Sequence, residues 1–542
     1  MHTNSSLSKI FSDLPPAFRV EDIPAIQITG ISIDSRAVQP GHLFVAMQGG
    51  SVDGHNYIQQ AIDNGAVAVV GQKDFVGRIG NPPYIRLDNP RQALTWLAGS
   101  FYNWPARQLT VIGVTGTDGK TTTSNLIYQI LKTASIKAGM ISTVNAVIGE
   151  EILDTGFHVT TPDAHDVQRY LAQMLEAGTT HVVLETTSHA WAQHRVDACE
   201  FDIGVLTNIT HEHIDEHGTY ENYRAAKARL FSALEKTLPK PAGNPRLAVI
   251  NCDDEKSFGF LDNFISGPKK KYGLRQNADV RAMEIKYGES GIQFSAQSKD
   301  FRVQVTSHLV GEYNVSNCLA ALTATVYGLG IDPATAARGI ASLKGIPGRM
   351  ERIDMGQPFT VIVDFAHTPN ALKVALEAAR TLTPGPSPDY RRGESSRIIA
   401  VFGSAGLRDK AKRRMMAETA AELADFSILT AEDPRTESLD GILAEMSQGA
   451  ISQGGLEGET FLLVPDRAEA IRTAVRMARE GDIVIVCGKG HEQSMAFGKV
   501  EFPWDDRVAT RAALAELLGV DGPSMPYLPT QDMVETKWLG NA

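Results

Sequence analysis

Val111-Ile-Gly-Val-Thr-Gly-Thr-Asp-Gly-Lys-Thr-Thr-Thr123 decides how the rest of the chain is read. The run from Leu109 to Val114 is short and apolar, which predicts a buried strand. Gly116 and Gly119 break it, and Lys120 with three threonines opens an amphipathic helix. A glycine-rich turn between a strand and a helix leaves backbone N–H groups converging on one point. The helix N-terminus adds partial positive charge there, and Lys120 adds a full one. Such a turn seats polyphosphate, and Thr121 stands where a P-loop hydroxyl reaches Mg2+. The spacing differs by one residue from G-x-x-x-x-G-K-[ST] counted from Gly113, so it is a variant of that motif. The plain alternative, a turn that binds nothing, leaves Gly-Lys-Thr after a strand without a purpose.

Working outward, strand candidates at 109–114, 181–186, 203–208 and 246–250 alternate with helical stretches at 164–177 and 221–235. That alternation predicts a parallel sheet, with ligands beyond the carboxyl ends of its strands. Glu185 and His189 follow one strand; His211, His213 and Asp215 follow another. Glu185 and His213 are therefore candidate Mg2+ ligands beside Thr121, the histidine being the less usual member because Mg2+ prefers oxygen. Lys227 lies on a helix with Arg224 and Arg229, and composition alone reads it as part of a solvated charged face.

Residues 1–107 precede the phosphate loop as a small α/β module. Ser35, Arg36 and the Gly49–Gly54 turn could cradle a ligand there, although plain turn chemistry explains them too. Residues 347–520 form a third α/β unit with buried-strand candidates at 359–363, 397–402, 426–429 and 482–487. Each runs into a polar or glycine-rich loop, which predicts a second ligand face. The proline-rich segment from Leu382 to Ser396 reads as an exposed, mobile insertion, and 521–542 as a tail. The fold class is α/β in three domains. A central P-loop mononucleotide-binding sheet at 108–346 is flanked by the small N-terminal domain and a Rossmann-like C-terminal domain.

The net charge of −11 argues against a broad nucleic-acid footprint, though not against small anions held locally. The four cysteines are widely spaced, without metal-type pairs, and suit a reducing cytoplasm. Neither a signal peptide nor a membrane span is expected, and the chain is expected to be a monomer.

With Gly116-Thr-Asp-Gly-Lys-Thr-Thr122, Thr207-Asn-Ile-Thr-His-Glu-His-Ile-Asp215, Gly311-Glu-Tyr-Asn-Val-Ser-Asn317 and Pro347-Gly-Arg-Met-Glu351 in place, the sequence resembles the Mur ligase family from about residue 25 to 510. These are ATP-dependent amide-forming enzymes of peptidoglycan synthesis. Asp34-Ser-Arg36, Thr160-Thr-Pro-Asp163, Gln193-His-Arg195 and Gly488-Lys-Gly-His-Glu492 resemble the branch joining UDP-N-acetylmuramoyl-L-alanyl-D-glutamate to a diamino acid. The resemblance implies that Gly116, Thr117, Asp118, Gly119, Lys120, Thr121 and Thr122 hold ATP phosphates. It implies that Thr121, Glu185, His213 and a carbamylated Lys227 serve Mg2+, with Lys120, His213 and Lys227 taking part in catalysis. Asn317, Arg349, Asp364 and His367 match nucleotide contacts. Ile33, Ser35, Gly50, Ser51 and Val52 match the uridine end. Thr160, Thr161, Ser188, Gln193 and Arg195 match contacts to the sugar-peptide. Arg408, Glu432, Asp433, Pro434, Arg435, Gly488 and Glu492 match the amino-acid pocket.

Four departures stand out. Asp118 replaces a usual Asn, His211-Glu212 an Arg-Asp pair, and Phe365 a Tyr. Glu432-Asp433 replaces the Asp-Asn usual where meso-diaminopimelate is selected; the Asp433 charge would suit an ammonium, and Arg435 a carboxylate. meso-Diaminopimelate is favoured slightly over L-lysine or L-ornithine. The alternatives are a related ligase acting on another acid, of folylpolyglutamate or cyanophycin type, and a non-catalytic ATP-binding paralogue.

Overall fold

The computed structural model describes residues 5–49, 52–75, 82–153, 160–209, 218–275, 277–288, 291–382 and 396–532. Its contacts group the chain into two compact units: Met1–Met283 with Ser295–Val305 and Ser316–Ile340, and Glu284–Phe294 with Thr306–Val315 and Ala341–Ala542. The first unit holds a four-stranded parallel sheet and the parallel strands of an eleven-stranded mixed sheet, and the second holds a six-stranded sheet.

In the first unit, the N-terminal sheet runs Gly30–Ser32, His42–Val45, Ala68–Gly71, Tyr84–Arg86, all parallel. Helix Pro90–Phe101, capped by the Asn89 side chain, buries Ala93, Leu94, Leu97 and Ala98 in that layer's core. The strand Gly30–Ser32 stops where the Asp34 side chain caps a short 3-10 turn at Ser35–Ala37.

The central sheet has parallel strands in the order Ala138–Ile141, His181–Glu185, Thr110–Thr115, Ile203–Leu206, Leu247–Asn251, Lys269–Gly273. The first of these in sequence, Thr110–Thr115, lies inside the sheet with every residue buried. Such two-sided burial gives a continuous apolar run rather than alternation. Connections leave that strand and its neighbours in both directions, which opens a crevice at its carboxyl end. Helix Lys120–Thr133 starts there and buries Leu126, Ile127, Ile130 and Leu131. Helix Tyr220–Lys236, capped by the Thr219 hydroxyl on Asn222 N–H, places Tyr223, Lys227, Leu230 and Leu234 on its buried face.

In the second unit, Thr360–Asp364, Ile483–Cys487, Ile398–Phe402, Phe426–Leu429 and Phe461–Leu463 form a parallel run edged by antiparallel Glu351–Arg352. Apolar clusters cover both faces. Part of the expected tail is anchored here: Leu528 is fully buried, and Thr530 donates to Asp466 at 2.6 Å. The expected insertion lies, but for its end residues, outside the described residues. Among the described residues, no helix is long and apolar enough to cross a membrane.

Candidate active site

The phosphate loop is built by close backbone approaches. Gly116 has φ +153°, and a Cβ there would fall 1.8 Å from Thr207 Oγ1. Gly119 has φ +78°, and its Cβ would meet Asn317 Oδ1 at 2.3 Å. Only glycine suits both sites. Thr117 N–H donates to Asn208 O at 2.8 Å, and Asp118 N–H to Asn208 Oδ1 at 2.9 Å. Asp118 O accepts from Thr207 Oγ1 at 2.6 Å and from Asn208 Nδ2 at 3.3 Å. The Asp118 backbone is thus fixed while its side chain is exposed, with no described residue bonded to the carboxylate. Lys120 Nζ donates to Thr117 O at 2.8 Å, folding the ammonium over the loop. Thr122 is buried in the first helical turn.

Register places Glu185 opposite Val114, one strand from the loop. Its carboxylate is 1% exposed. Oε1 accepts from Thr121 Oγ1 at 3.1 Å and Thr143 Oγ1 at 2.9 Å, and Oε2 accepts from Thr143 N–H at 3.0 Å. This buried set of carboxylate and hydroxyl oxygens at a helix start has the chemistry of a Mg2+ site. Thr143 was missed by the sequence reading. Its signal was position, just past the carboxyl end of Ala138–Ile141. Among the described residues, His, Cys, Asp and Glu form no metal-type group of three. His213, His211 and Glu212 lie outside the described residues.

Lys227 is not on a solvated face. It is 2% exposed, and Nζ donates to Gly116 O at 2.6 Å and sits 4.5 Å from the Tyr223 ring centre. Tyr223 Oη and Thr117 Oγ1 share a 2.9 Å hydrogen bond. The helix therefore grips the phosphate loop through two side chains. Asn317 Oδ1 accepts from Thr123 Oγ1 at 3.3 Å.

Farther along the first unit, Thr161 Oγ1 donates to Glu185 O at 3.0 Å and accepts from Thr187 N–H at 3.3 Å. Arg195 donates to Thr161 O at 2.6 Å and to Gln193 Oε1 at 2.7 and 3.0 Å, and pairs with Asp163 at 3.2 Å. Thr161, Gln193 and Arg195 are thereby one network, tied to the Glu185 strand. Ser188 is buried at a helix start whose N-cap is Thr187, and Thr160 is half-buried beside Thr161. In the N-terminal layer, Ser35 Oγ donates to Gln60 Oε1 at 2.8 Å; Ile33 is half-buried and Val52 exposed. Gly50 and Ser51 lie outside the described residues.

In the second unit, the strand-end loops converge. Asp364 accepts from Met350 N–H at 2.7 Å and Ala366 N–H at 2.8 Å, while burial raises its pKa against the pull of Arg349. Arg349 stacks over the Phe365 ring at 4.5 Å. The rings of His367 and His491 lie 4.5 and 4.9 Å from Phe365, and burial lowers both pKa values to about 3. Phe365, which stands in place of a usual Tyr, serves as the platform for three cationic or titratable side chains.

Glu432, Asp433 and Pro434 are buried. Burial raises the Glu432 pKa, and its Oε2 has no hydrogen-bond partner among the described residues. Gly488 leaves room for that oxygen, since a Cβ would stand 2.8 Å from it. Asp433 faces a different partner from the one expected. Instead of an open carboxylate awaiting a substrate ammonium, it is bonded to Lys489 at 3.0 and 3.1 Å. Lys489 was missed because a lysine between two glycines reads as a loop charge. The Arg435 side chain makes one long hydrogen bond among the described residues, 3.4 Å to Gly406 O, and Arg408 is exposed. Glu492 pairs with Lys489 at 2.5 Å.

Comparison with known proteins agrees with this geometry. Residues 27–102 match the catalytic domain of the Mur ligase family, 114–325 the Mur ligase middle domain, and 348–490 the Mur ligase glutamate ligase domain. A UDP-N-acetylmuramyl-tripeptide synthetase of Roseiflexus sp. (strain RS-1) is 44% identical over 91% of this chain and 95% of its own. A UDP-N-acetylmuramoyl-L-alanyl-D-glutamate--2,6-diaminopimelate ligase of Geobacillus thermodenitrificans (strain NG80-2) is 38% identical over 92% and 98%. A solved structure of a ligase of that second name superposes with TM-score 0.63 at 30% identity, covering 95% of this chain and 99% of that one. A folylpolyglutamate synthase of Mycobacterium tuberculosis, at 13% identity and TM-score 0.58, shares the fold.

Proposed function

The chain belongs to the Mur ligase family, and from that premise we propose that it joins a diamino acid to UDP-N-acetylmuramoyl-L-alanyl-D-glutamate at the expense of ATP. The observation that carries the phosphoryl chemistry is the loop with Lys120 and Thr121 beside the buried Glu185 carboxylate. Likeness along the whole chain to relatives of this name supports the choice of substrates.

In this reading, residues 1–107 hold the uridine end through Ile33, Ser35 and residues 50–52. Residues 108–346 hold ATP, and 347–520 the amine. The D-glutamyl carboxylate attacks the γ-phosphorus, giving an acyl phosphate and ADP; the amine then attacks the acyl carbon and expels phosphate. Lys120 and the N–H groups at the start of its helix offset charge on the transferring group, on a loop held before reaction by Thr207 and Asn208. Mg2+, held by Thr121, Glu185 and His213, would supply further positive charge against the phosphates. Thr161, Gln193 and Arg195 orient the sugar-peptide. Asn317, Arg349, Asp364 and His367 receive the nucleotide.

Lys227 we assign as carbamylated in the working enzyme. A carbamate keeps one N–H for Gly116 O and turns the cation into an anion near the metal shell. Lys227→Ala with unchanged turnover, and no response to added short carboxylic acids, would count against this. The enzyme is read as a cytoplasmic monomer of peptidoglycan precursor synthesis, with meso-diaminopimelate as the favoured amine. Incubation with the UDP-muramoyl dipeptide, ATP, Mg2+ and, separately, meso-diaminopimelate, L-lysine and L-ornithine tests the whole reading. ADP release that depends on one of these amines is expected; none with any of them defeats it.

A further inference from the structure

One buried ammonium joins the two acidic loops of the second unit. Lys489 Nζ bonds both oxygens of Asp433, at 3.0 and 3.1 Å, and reaches Glu492 at 2.5 Å. The Lys489 side chain is 1% exposed, that of Asp433 8%, and that of Glu492 18%. Asp433 Oδ1 also accepts Ala496 N–H at 2.9 Å. Both Asp433 oxygens are therefore satisfied inside the fold. The loop that carries them is strained, with Asp433 at φ +40° and Arg435 at φ +53°. A strained turn persists only where surrounding bonds over-determine it, and here Lys489 supplies two of them. Gly488 and Gly490, at φ +116° and +53°, let the backbone deliver the lysine to this point.

The charges can be counted. Among these three residues of the wall, Asp433 and Glu492 contribute two negative charges and Lys489 one positive, a surplus of one negative charge, with Glu432 and Lys412 also in electrostatic reach. Arg435, two residues after Asp433, is a cation whose side chain makes one 3.4 Å hydrogen bond among the described residues. Without Lys489, the same wall would be a double carboxylate, a strong seat for a lone ammonium and a repulsive one for a carboxylate.

We propose that Lys489 is a specificity-determining residue: by neutralising Asp433 and clamping it to Glu492, it makes the pocket select an amine whose far end carries a carboxylate together with an ammonium, over one whose far end is an ammonium alone. This rests on the amide-ligase reading above. Lys489 acts through the two acids it holds, as a positioning residue, and Asp433 influences the substrate through the charge count rather than by direct contact.

The test compares kcat/KM for meso-diaminopimelate and for L-lysine, with the UDP-muramoyl dipeptide and ATP saturating. The parent protein is measured first. If it turns over neither amine, the amide-ligase reading itself fails, and that result is separate from the outcomes below. In an active protein, Lys489→Met shifts the lysine-to-diaminopimelate ratio toward lysine by about tenfold or more, because truncating one member of a buried charge pair exposes the other. The shift lies in the KM of the amine, with the KM of the UDP-muramoyl dipeptide unmoved. Asp433→Asn moves the ratio the other way. The double variant Lys489→Met/Asp433→Asn restores the parent charge count and returns the ratio to within about threefold of the parent, the coupling expected of residues in contact. A loss of kcat without a change in ratio overturns the proposal. If Lys489→Met does not fold, Asp433→Asn and the double variant decide it: an unmoved ratio in Asp433→Asn, or a strongly shifted one in the double variant, overturns it.

Discussion

Thr121 Oγ1 donates to Glu185 Oε1 at 3.1 Å, so the first turn of the phosphate-loop helix is tied to the end of the neighbouring strand. The bond makes one oxygen-rich site out of the start of that helix and the end of that strand. Glu185→Gln keeps the shape and removes the charge. Turnover is expected to fall by roughly 100-fold or more, as when a charge-stabilising group is lost from a reacting centre. Steady-state ADP release checks this, with a melting curve to confirm the fold. Near-parental turnover would remove Glu185 from the metal shell.

Gly119 is held against Asn317 by geometry that no side chain tolerates, with φ +78° and a Cβ position 2.3 Å from Oδ1. Gly119→Ala is expected to destabilise by about 1–3 kcal/mol through the strained backbone alone. Adding Asn317→Ser relieves the clash but not the φ strain, so the double variant should recover only part of the loss. Denaturant titration of the single and double variants measures both parts. Full recovery would show that the backbone carries no strain.

Asp118 fixes the loop through its main chain, while its carboxylate points out of that hydrogen-bond network. Asp118→Asn should therefore leave stability within about 0.5 kcal/mol, as expected for an exposed side chain. Removing a negative charge beside a polyphosphate seat is expected to lower the KM for ATP about two- to fivefold at low salt, with the gain shrinking as salt screens it. An unchanged KM at low ionic strength would place the carboxylate away from the phosphates.

Much of this was legible in the chain because the governing signals are local. The buried runs at 110–115, 181–185, 398–402 and 483–487 lie within a residue or two of where apolar runs and glycine breaks put them. The strand-end rule then located Glu185, Asp364 and Glu432 at or just past the carboxyl ends of their strands before any contact was known. Contacts between distant segments were not legible. Nothing near Lys227 in sequence announces that it donates to Gly116 O, and nothing near Asp433 announces Lys489, which is 56 residues away. Charge on a helix or loop reads as solvated until the fold supplies the opposing surface. Phe365 is the converse case: in the sequence it registers only as a Phe in place of a usual Tyr, while its ring carries Arg349, His367 and His491.

Arg467 and Asp506 form a fully buried pair, bonded at 2.7 and 2.8 Å. Arg467 also donates to Ala431 O at 3.0 Å and Cys487 O at 2.7 Å, the carbonyls that immediately precede Glu432 and Gly488. It is thus the floor under both loops. Arg467→Met leaves the Asp506 charge without its partner and is expected to destabilise by about 3–5 kcal/mol. Thermal unfolding measures this, and a shift within error would mean that Trp504 Nε1, 2.8 Å from Asp506, suffices to hold it.

The same unit should be acid-sensitive through its buried imidazoles. His367 and His491 have pKa values of about 3 in the fold, against 6.5 for the free side chain. Between those values only the unfolded chain binds the proton. Each ring's contribution to stability is therefore complete above pH 6.5 and declines as pH falls toward 3, by about 1.4 kcal/mol per pH unit. Asp364 and Glu432 act with the opposite sign, because burial raises their pKa values and the folded state holds their protons more tightly. The net slope mixes all four groups, so the informative quantity is a difference between variants. His491→Asn removes one imidazole and leaves the acids in place. Urea denaturation at about pH 7 and about pH 5 should show the variant losing roughly 2 kcal/mol less than the parent on acidification. Equal losses would mean that His491 takes up its proton in the folded state, with its ring open to water rather than sealed against Phe365.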